Sequence, residues 1–116
     1  MKNKEIALLA AKTLKDKKAA DVVCIDIMGK AIFADYMLIA TGGSDRQVES
    51  LVDYVEDALA KENVPLRSVE GKSTGWVLID FGDIIVNVFT QEMRSKYNIE
   101  KVWGDCRFLD LEEENR

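Results

Sequence analysis

Gly75-Trp76-Val77-Leu78-Ile79-Asp80-Phe81-Gly82-Asp83-Ile84-Ile85-Val86-Asn87-Val88-Phe89-Thr90 reads as two strands joined by the two-residue loop Gly82-Asp83. A loop of that length with Gly first suits a type II′ hairpin, which fixes the register and sets Phe81 opposite Ile84. Side chains alternate between faces along a strand. One face therefore carries Val77, Ile79, Phe81, Ile84, Val86 and Val88, all apolar, and is expected to lie against helices. The other carries Trp76, Leu78, Asp80, Ile85, Asn87 and Phe89, with Trp76 opposite Phe89. Buried polar groups need partners, so Asp80 and Asn87 near its middle predict that this second face is open. An open face bearing Trp and Phe has the character of an interaction surface; the alternative is that the C-terminal segment folds back over it and makes Trp76 packing.

Working outward, the run 36–41 (Tyr36 to Thr41) reads as a strand stopped by Gly42-Gly43. Ser44 follows as an N-cap, with Gln47 in capping-box position. Val48, Leu51, Val52, Val55, Ala58 and Leu59 then repeat at helical spacing up to about residue 62, before Pro65. Upstream, Ile6, Leu9, Ala10, Thr13 and Leu14 mark a first helix with lysines on its other side, and 21–27 is a β-branched strand. A short strand is expected at 67–69, and a short helix at 91–97 brings Met93, Arg94 and Tyr97 beside the open face. The order α-β-β-α-β-β-β-α predicts an α/β fold of the α+β kind, a mixed five-stranded sheet with helices mainly on one face. Residues 1–108 form its single domain, and 109–116 an acidic, disordered tail.

The chain has 116 residues, 47% of them hydrophobic and 32% charged, an ordinary balance for one globular core. A net charge of −5 repels phosphate backbones, so little direct nucleic-acid contact is expected and a basic protein partner suits it better. No apolar run approaches the ~20 residues of a membrane span. No cleavage-type signal opens the chain, and Cys24 and Cys106 sit in no pairing motif, so a reducing, cytoplasmic setting is expected. Histidine is absent, which removes the commonest general base and metal ligand. No metal site and no cofactor are expected, and the chain reads as a binding protein rather than an enzyme.

Gly42-Gly43-Ser44-Asp45-Arg46, at a strand end opening a helix, is the one enzyme-like feature. Backbone N–H groups there suit an anion, with Arg46 as clamp. The loop resembles that of nucleotidyltransferases, in which paired metal-binding acids follow on the next strand. Here Asp53, Glu56 and Asp57 fall inside the helical pattern, on its polar face, and the next strand offers only Glu70. The catalytic acids are missing, so the glycines turn the chain and Ser44 caps the helix. A nucleotide- or phosphate-binding enzyme or sensor using Gly42, Gly43, Ser44 and Arg46 is the alternative reading.

Ala34-Asp35-Tyr36-Met37-Leu38-Ile39-Ala40-Thr41-Gly42 and Ser44-Asp45-Arg46-Gln47-Val48 resemble the ribosomal silencing factor family, also called RsfS or Iojap-like. So do Glu70-Gly71, Gly75-Trp76-Val77-Leu78-Ile79-Asp80, Gly82-Asp83-Ile84-Ile85-Val86, Tyr97-Asn98-Ile99-Glu100 and Trp103-Gly104-Asp105. The resemblance implies a nucleotidyltransferase-like fold without the catalytic acids. It further implies docking on the large ribosomal subunit, against ribosomal protein fourteen at the intersubunit face. A protein bound there blocks joining of the small subunit and represses translation under nutrient limitation; free members are commonly homodimers. Carried over by position, the docking surface comprises Trp76, Leu78, Asp80, Ile85, Asn87, Met93, Arg94 and Tyr97. The family often has His where this chain has Asn87, which removes any His-specific contact there but retains hydrogen bonding.

Overall fold

The computed structural model describes residues 1–114. The hairpin forms as two antiparallel strands, β4 (Trp76–Asp80) and β5 (Ile84–Thr90), in the expected register, with Trp76 opposite Phe89 and Asp80 opposite Ile85. Phe81 N–H donates to the Ile84 carbonyl across the loop at 2.9 Å, and the Asp80 carboxylate accepts from Gly82 N–H at 2.7 Å. The remaining elements are α1 (Asn3–Asp16), β1 (Ala20–Asp26), β2 (Tyr36–Gly42), α2 (Asp45–Lys61), β3 (Ser68–Glu70), α3 (Gln91–Tyr97), a 3-10 turn (Ile99–Trp103), β6 (Arg107–Phe108) and α4 (Leu111–Glu114).

These strands make one sheet in the order β3-β4-β5-β2-β1-β6. Only β2 and β5 run parallel; the other neighbours are antiparallel. The fold is the expected mixed α/β sheet, with one strand more than the five read from the sequence. That sixth strand is the two-residue β6, whose Phe108 pairs with Ile25. Two residues are too few to show an alternating pattern, so only the tertiary pairing reveals it.

The all-apolar hairpin face packs as expected. Val77, Ile79, Val86 and Val88 join Leu38 and Ala40 of β2 beneath α1 and α2. Ala7, Ala10 and Ala11 of α1 are fully buried, and such small side chains let a helix lie close on the sheet. From α2 come Val48, Leu51, Val52, Val55 and Leu59. A fully buried Leu or Val contributes about 1.5–3 kcal/mol, so this layer holds most of the stability.

Two expectations are corrected. The second sheet face is not open throughout. Ile25, Met37, Ile39, Ile85 and Phe89 form a second core, against which Trp76, Met93, Ile99 and Trp103 pack. The short helix and the 3-10 turn close the face over β1, β2 and β5, leaving it accessible mainly along β4. The segment expected to fray after residue 108 is ordered where described. Leu109 and Leu111 are buried in the helix-side core, and Leu109 N–H donates to the Cys24 carbonyl at 2.9 Å. Acidic composition concealed two apolar anchors, because their spacing of two suits an extended turn rather than a helix stripe.

Candidate functional site

Trp76 opens β4, the last strand before the narrow edge strand β3, whose three residues pair only with Leu78 to Asp80 and leave Trp76 without a strand neighbour on that side. Its position opposite Phe89 follows from the register, and the rings stack with centroids 4.9 Å apart and planes 27° from parallel. On its other flank lies Tyr97, centroids 5.0 Å apart at 43°. Such pairs add about 0.5–1.5 kcal/mol beyond area burial. The three rings run from core to solvent: Phe89 is wholly buried, Trp76 half-buried, and Tyr97 47% exposed.

Asn87 fixes the stack from below. It is 1% exposed, and its Oδ1 accepts from the Trp76 indole Nε1–H at 2.9 Å. The indole nitrogen only donates, so the amide oxygen must face it. This leaves Nδ2 to donate to the Leu38 carbonyl at 3.3 Å and to touch Met37 Sδ. Among the described residues no buried side-chain N or O atom lacks a partner. Burial of Asn87 is thus reconciled with polarity by partners on other strands, which no local pattern discloses.

Arg94, expected beside the open face, is buried with 8% exposure. Its Nε donates to Glu100 at 2.8 Å, and its Nη1 to the Asp21 carbonyl at 2.6 Å and Thr41 Oγ1 at 2.9 Å. Ile85 is buried, and Asp80 is engaged in the hairpin turn. The eight residues named from sequence therefore separate into two sets. Trp76, Leu78, Met93 and Tyr97 reach the surface, while Ile85, Asn87 and Arg94 lie beneath it and Asp80 stands at its end. A shallow groove of about 270 Å³ runs beside Trp76 and Leu78, walled by Glu70, Gly71 and Thr74.

Two glycines make this geometry possible. Gly71 has φ +85, and a Cβ there would lie 2.1 Å from the Trp76 carbonyl oxygen. Gly75 has φ +87, and a Cβ would sit 2.8 Å from Met93 Cγ. Both need a left-handed backbone that side chains disfavour, and both let another segment approach closely. Thr90 then caps α3, accepting from Met93 N–H at 3.3 Å.

At 42–46, Ser44 caps α2 as expected, accepting from Gln47 N–H at 3.1 Å. The Gln47 side chain reaches Gly43 N–H rather than the cap's own N–H. Val48 N–H donates to the Ser44 carbonyl, and Asp45 places a carboxylate in the first turn. Two donors of an anion cradle, the Gly43 and Gln47 N–H groups, are thus already used, and Gly42 is packed against Val48. Asp53 and Asp57 are exposed on α2; burial, then Asp53, holds the Glu56 carboxyl above its ordinary range. Among the described residues no group of three or more His, Cys, Asp or Glu is placed to hold a metal, and no helix is long and apolar enough to cross a membrane.

Sequence reasoning missed two features. Thr41 and Glu100 hold Arg94, although Glu100 stands in a motif singled out above. Met28, Ile32 and Phe33 are exposed in the loop between β1 and β2, with Phe33 edge-on to Trp103 at 6.2 Å. Three large apolar residues within a loop were the available signal.

The entire chain, residues 1–116, matches the sequence profile of the family described as "Ribosomal silencing factor during starvation". The chain belongs to the ribosomal silencing factor family. It is 39% identical over 113 residues to ribosomal silencing factor RsfS of Bacillus subtilis, spanning 97% of this chain and 96% of that protein. It is 27% identical over 105 residues to the chloroplastic protein Iojap of Zea mays, spanning 90% of this chain and 46% of the maize protein. A crystal structure of a Chromobacterium violaceum protein superposes with a TM-score of 0.87 at 36% identity, over 90% of this chain and 88% of that one. The family match thus covers the aromatic stack and the residues that hold it.

Proposed function

We propose that this protein docks on the large ribosomal subunit through Trp76, Leu78, Met93 and Tyr97. The partner is ribosomal protein fourteen at the intersubunit face, and docking sterically blocks joining of the small subunit, repressing translation when nutrients are limiting. The observation that carries this reading is the half-exposed Trp76–Tyr97 pair, anchored by buried Asn87 and Phe89 in a member of this family. Aromatic side chains that are rigid before binding lose little freedom on docking and are enriched among binding hot spots. Net charge −5 favours a basic ribosomal protein and speeds its encounter.

On this reading the protein is a cytoplasmic binding factor rather than an enzyme, needs no cofactor or metal, touches little nucleic acid, and is a homodimer when free. The test is sucrose-gradient co-sedimentation with separated subunits. Wild type should travel with large subunits, and Trp76→Ala should lose at least about 2 kcal/mol of affinity, roughly 30-fold, as hot-spot truncations do. A Trp76→Ala protein that still folds, co-sediments and inhibits subunit joining like wild type removes Trp76 from the surface. Calorimetry with ATP, GTP and ppGpp should give no heat; tight binding would restore the nucleotide reading at Gly42, Gly43, Ser44 and Arg46.

A further inference from the structure

α3 is seven residues long, and a helix that short does not persist alone. Arg94 is its single buried residue. The guanidinium makes three hydrogen bonds to three separate elements: the Asp21 carbonyl of β1, Thr41 Oγ1 of β2 and the Glu100 carboxylate of the 3-10 turn. Each acceptor is presented by a local irregularity or a sheet end. β1 bulges between Ala20 and Val23, with Asp21 at φ +48, which frees a carbonyl that a regular ladder would consume. Asn98, at φ +39, closes α3 by donating its N–H to the Arg94 carbonyl at 2.8 Å. That left-handed turn brings Glu100 back to Arg94 while Tyr97 remains against Trp76. An open cleft of about 690 Å³ lies between α3 and β1, lined by Asp21, Val22, Val23, Gln91, Arg94 and Ser95, so apolar packing between the two elements is sparse there and the Arg94 hydrogen bond to the Asp21 carbonyl joins them.

From this geometry we infer that Arg94 is a positioning residue: its clasp on Asp21, Thr41 and Glu100 holds Tyr97 on Trp76 before any partner arrives. The inference rests on the docking surface proposed above. It also assigns work to the run Tyr97-Asn98-Ile99-Glu100, whose members stack, turn, pack and grip in succession.

The test uses the full chain with Trp103→Phe, leaving Trp76 as the sole tryptophan. Arg94→Met should shift Trp76 emission to the red and speed hydrogen exchange across α3. It should also weaken large-subunit binding about tenfold, as expected when the competent arrangement falls to roughly a tenth of molecules. Arg94→Lys, without the planar fork, should fall between. Val55→Ala in α2 is the control, compared with the Arg94 variant at temperatures giving equal global stability; its emission and affinity should match wild type. Unchanged emission and α3 protection in Arg94→Met overturn the inference. So does an equal loss of affinity in Val55→Ala, which would make the clasp merely structural. Should Arg94→Met not fold, Glu100→Gln carries the same test at smaller amplitude. If the parent chain itself ignores large subunits, the docking reading fails, and emission and exchange alone then decide whether Arg94 sets the aromatic pair.

Discussion

The two faces of the β4–β5 hairpin are made from alternate residues of the same strands, yet they are held by different physics. On the helix side Val77, Ile79, Val86 and Val88 are sealed by α1 and α2 with no polar side chain among them. On the other side Asn87 is equally buried, but an indole, a thioether and a carbonyl surround it, and the covering elements are a seven-residue helix and a 3-10 turn. The first face tolerates no partner because nothing is left exposed. The second ends in half-exposed rings whose orientation depends on a few directional bonds. Non-directional burial supplies stability, and directional polar contacts supply a fixed surface.

The comparison breaks most visibly at Ile79. Ile79→Ala should destabilise by about 2–5 kcal/mol, read as a lower urea midpoint, while the folded fraction keeps its affinity for large subunits. A loss of affinity beyond the unfolded fraction would show that the two faces are coupled. Removing residues 109–116 comes next. Leu109 and Leu111 belong to the helix-side core, so the truncated chain should lose about 3–6 kcal/mol by the usual value of two buried leucines. An unchanged melting temperature would return that segment to the status of a loose tail.

Asn87→Leu sharpens the contrast from the other face. It leaves the Trp76 Nε1–H without its acceptor, at a cost of about 1–3 kcal/mol. Trp76 near-ultraviolet circular dichroism should change with it, and unaltered dichroism would deny Asn87 its anchoring role. The smallest effect is expected at Glu56, on the rim of the helix layer. Its carboxyl is raised above the ordinary range by burial and by Asp53, so the folded state binds that proton more tightly than the unfolded chain. Ionisation therefore costs stability as pH rises through and above the carboxylate range. Glu56→Gln should stabilise the neutral-pH protein by about a few tenths of a kcal/mol, as exposed charges do. The gain should vanish as pH falls through that range; a gain independent of pH would point to helix propensity instead.

Much of this was legible in the chain. Period-2 alternation and a two-residue loop set the hairpin register, and with it which residues share each face. Helical spacing and Ser44 set α2, and the ordered motifs from Ala34 to Asp105 carried the family. The candidate surface was legible at Trp76, Leu78 and Tyr97, because an exposed ring needs only the right face. It was not legible at Arg94, two of whose three acceptors lie 53 and 73 residues away, nor at Asn87, whose burial is compensated by Leu38 and Met37 of β2.

By itself, then, the sequence determined strand register, the two helices over one face and the absence of any histidine chemistry, all consequences of local periodicity or composition. Only the tertiary structure decided that α3 and the 3-10 turn close the second face, that Leu109 and Leu111 are anchors, and that Arg94 is a clasp. Each of those depends on where a distant backbone carbonyl, hydroxyl or apolar surface comes to lie. Sequence spacing carries no record of that distance until the sheet has formed.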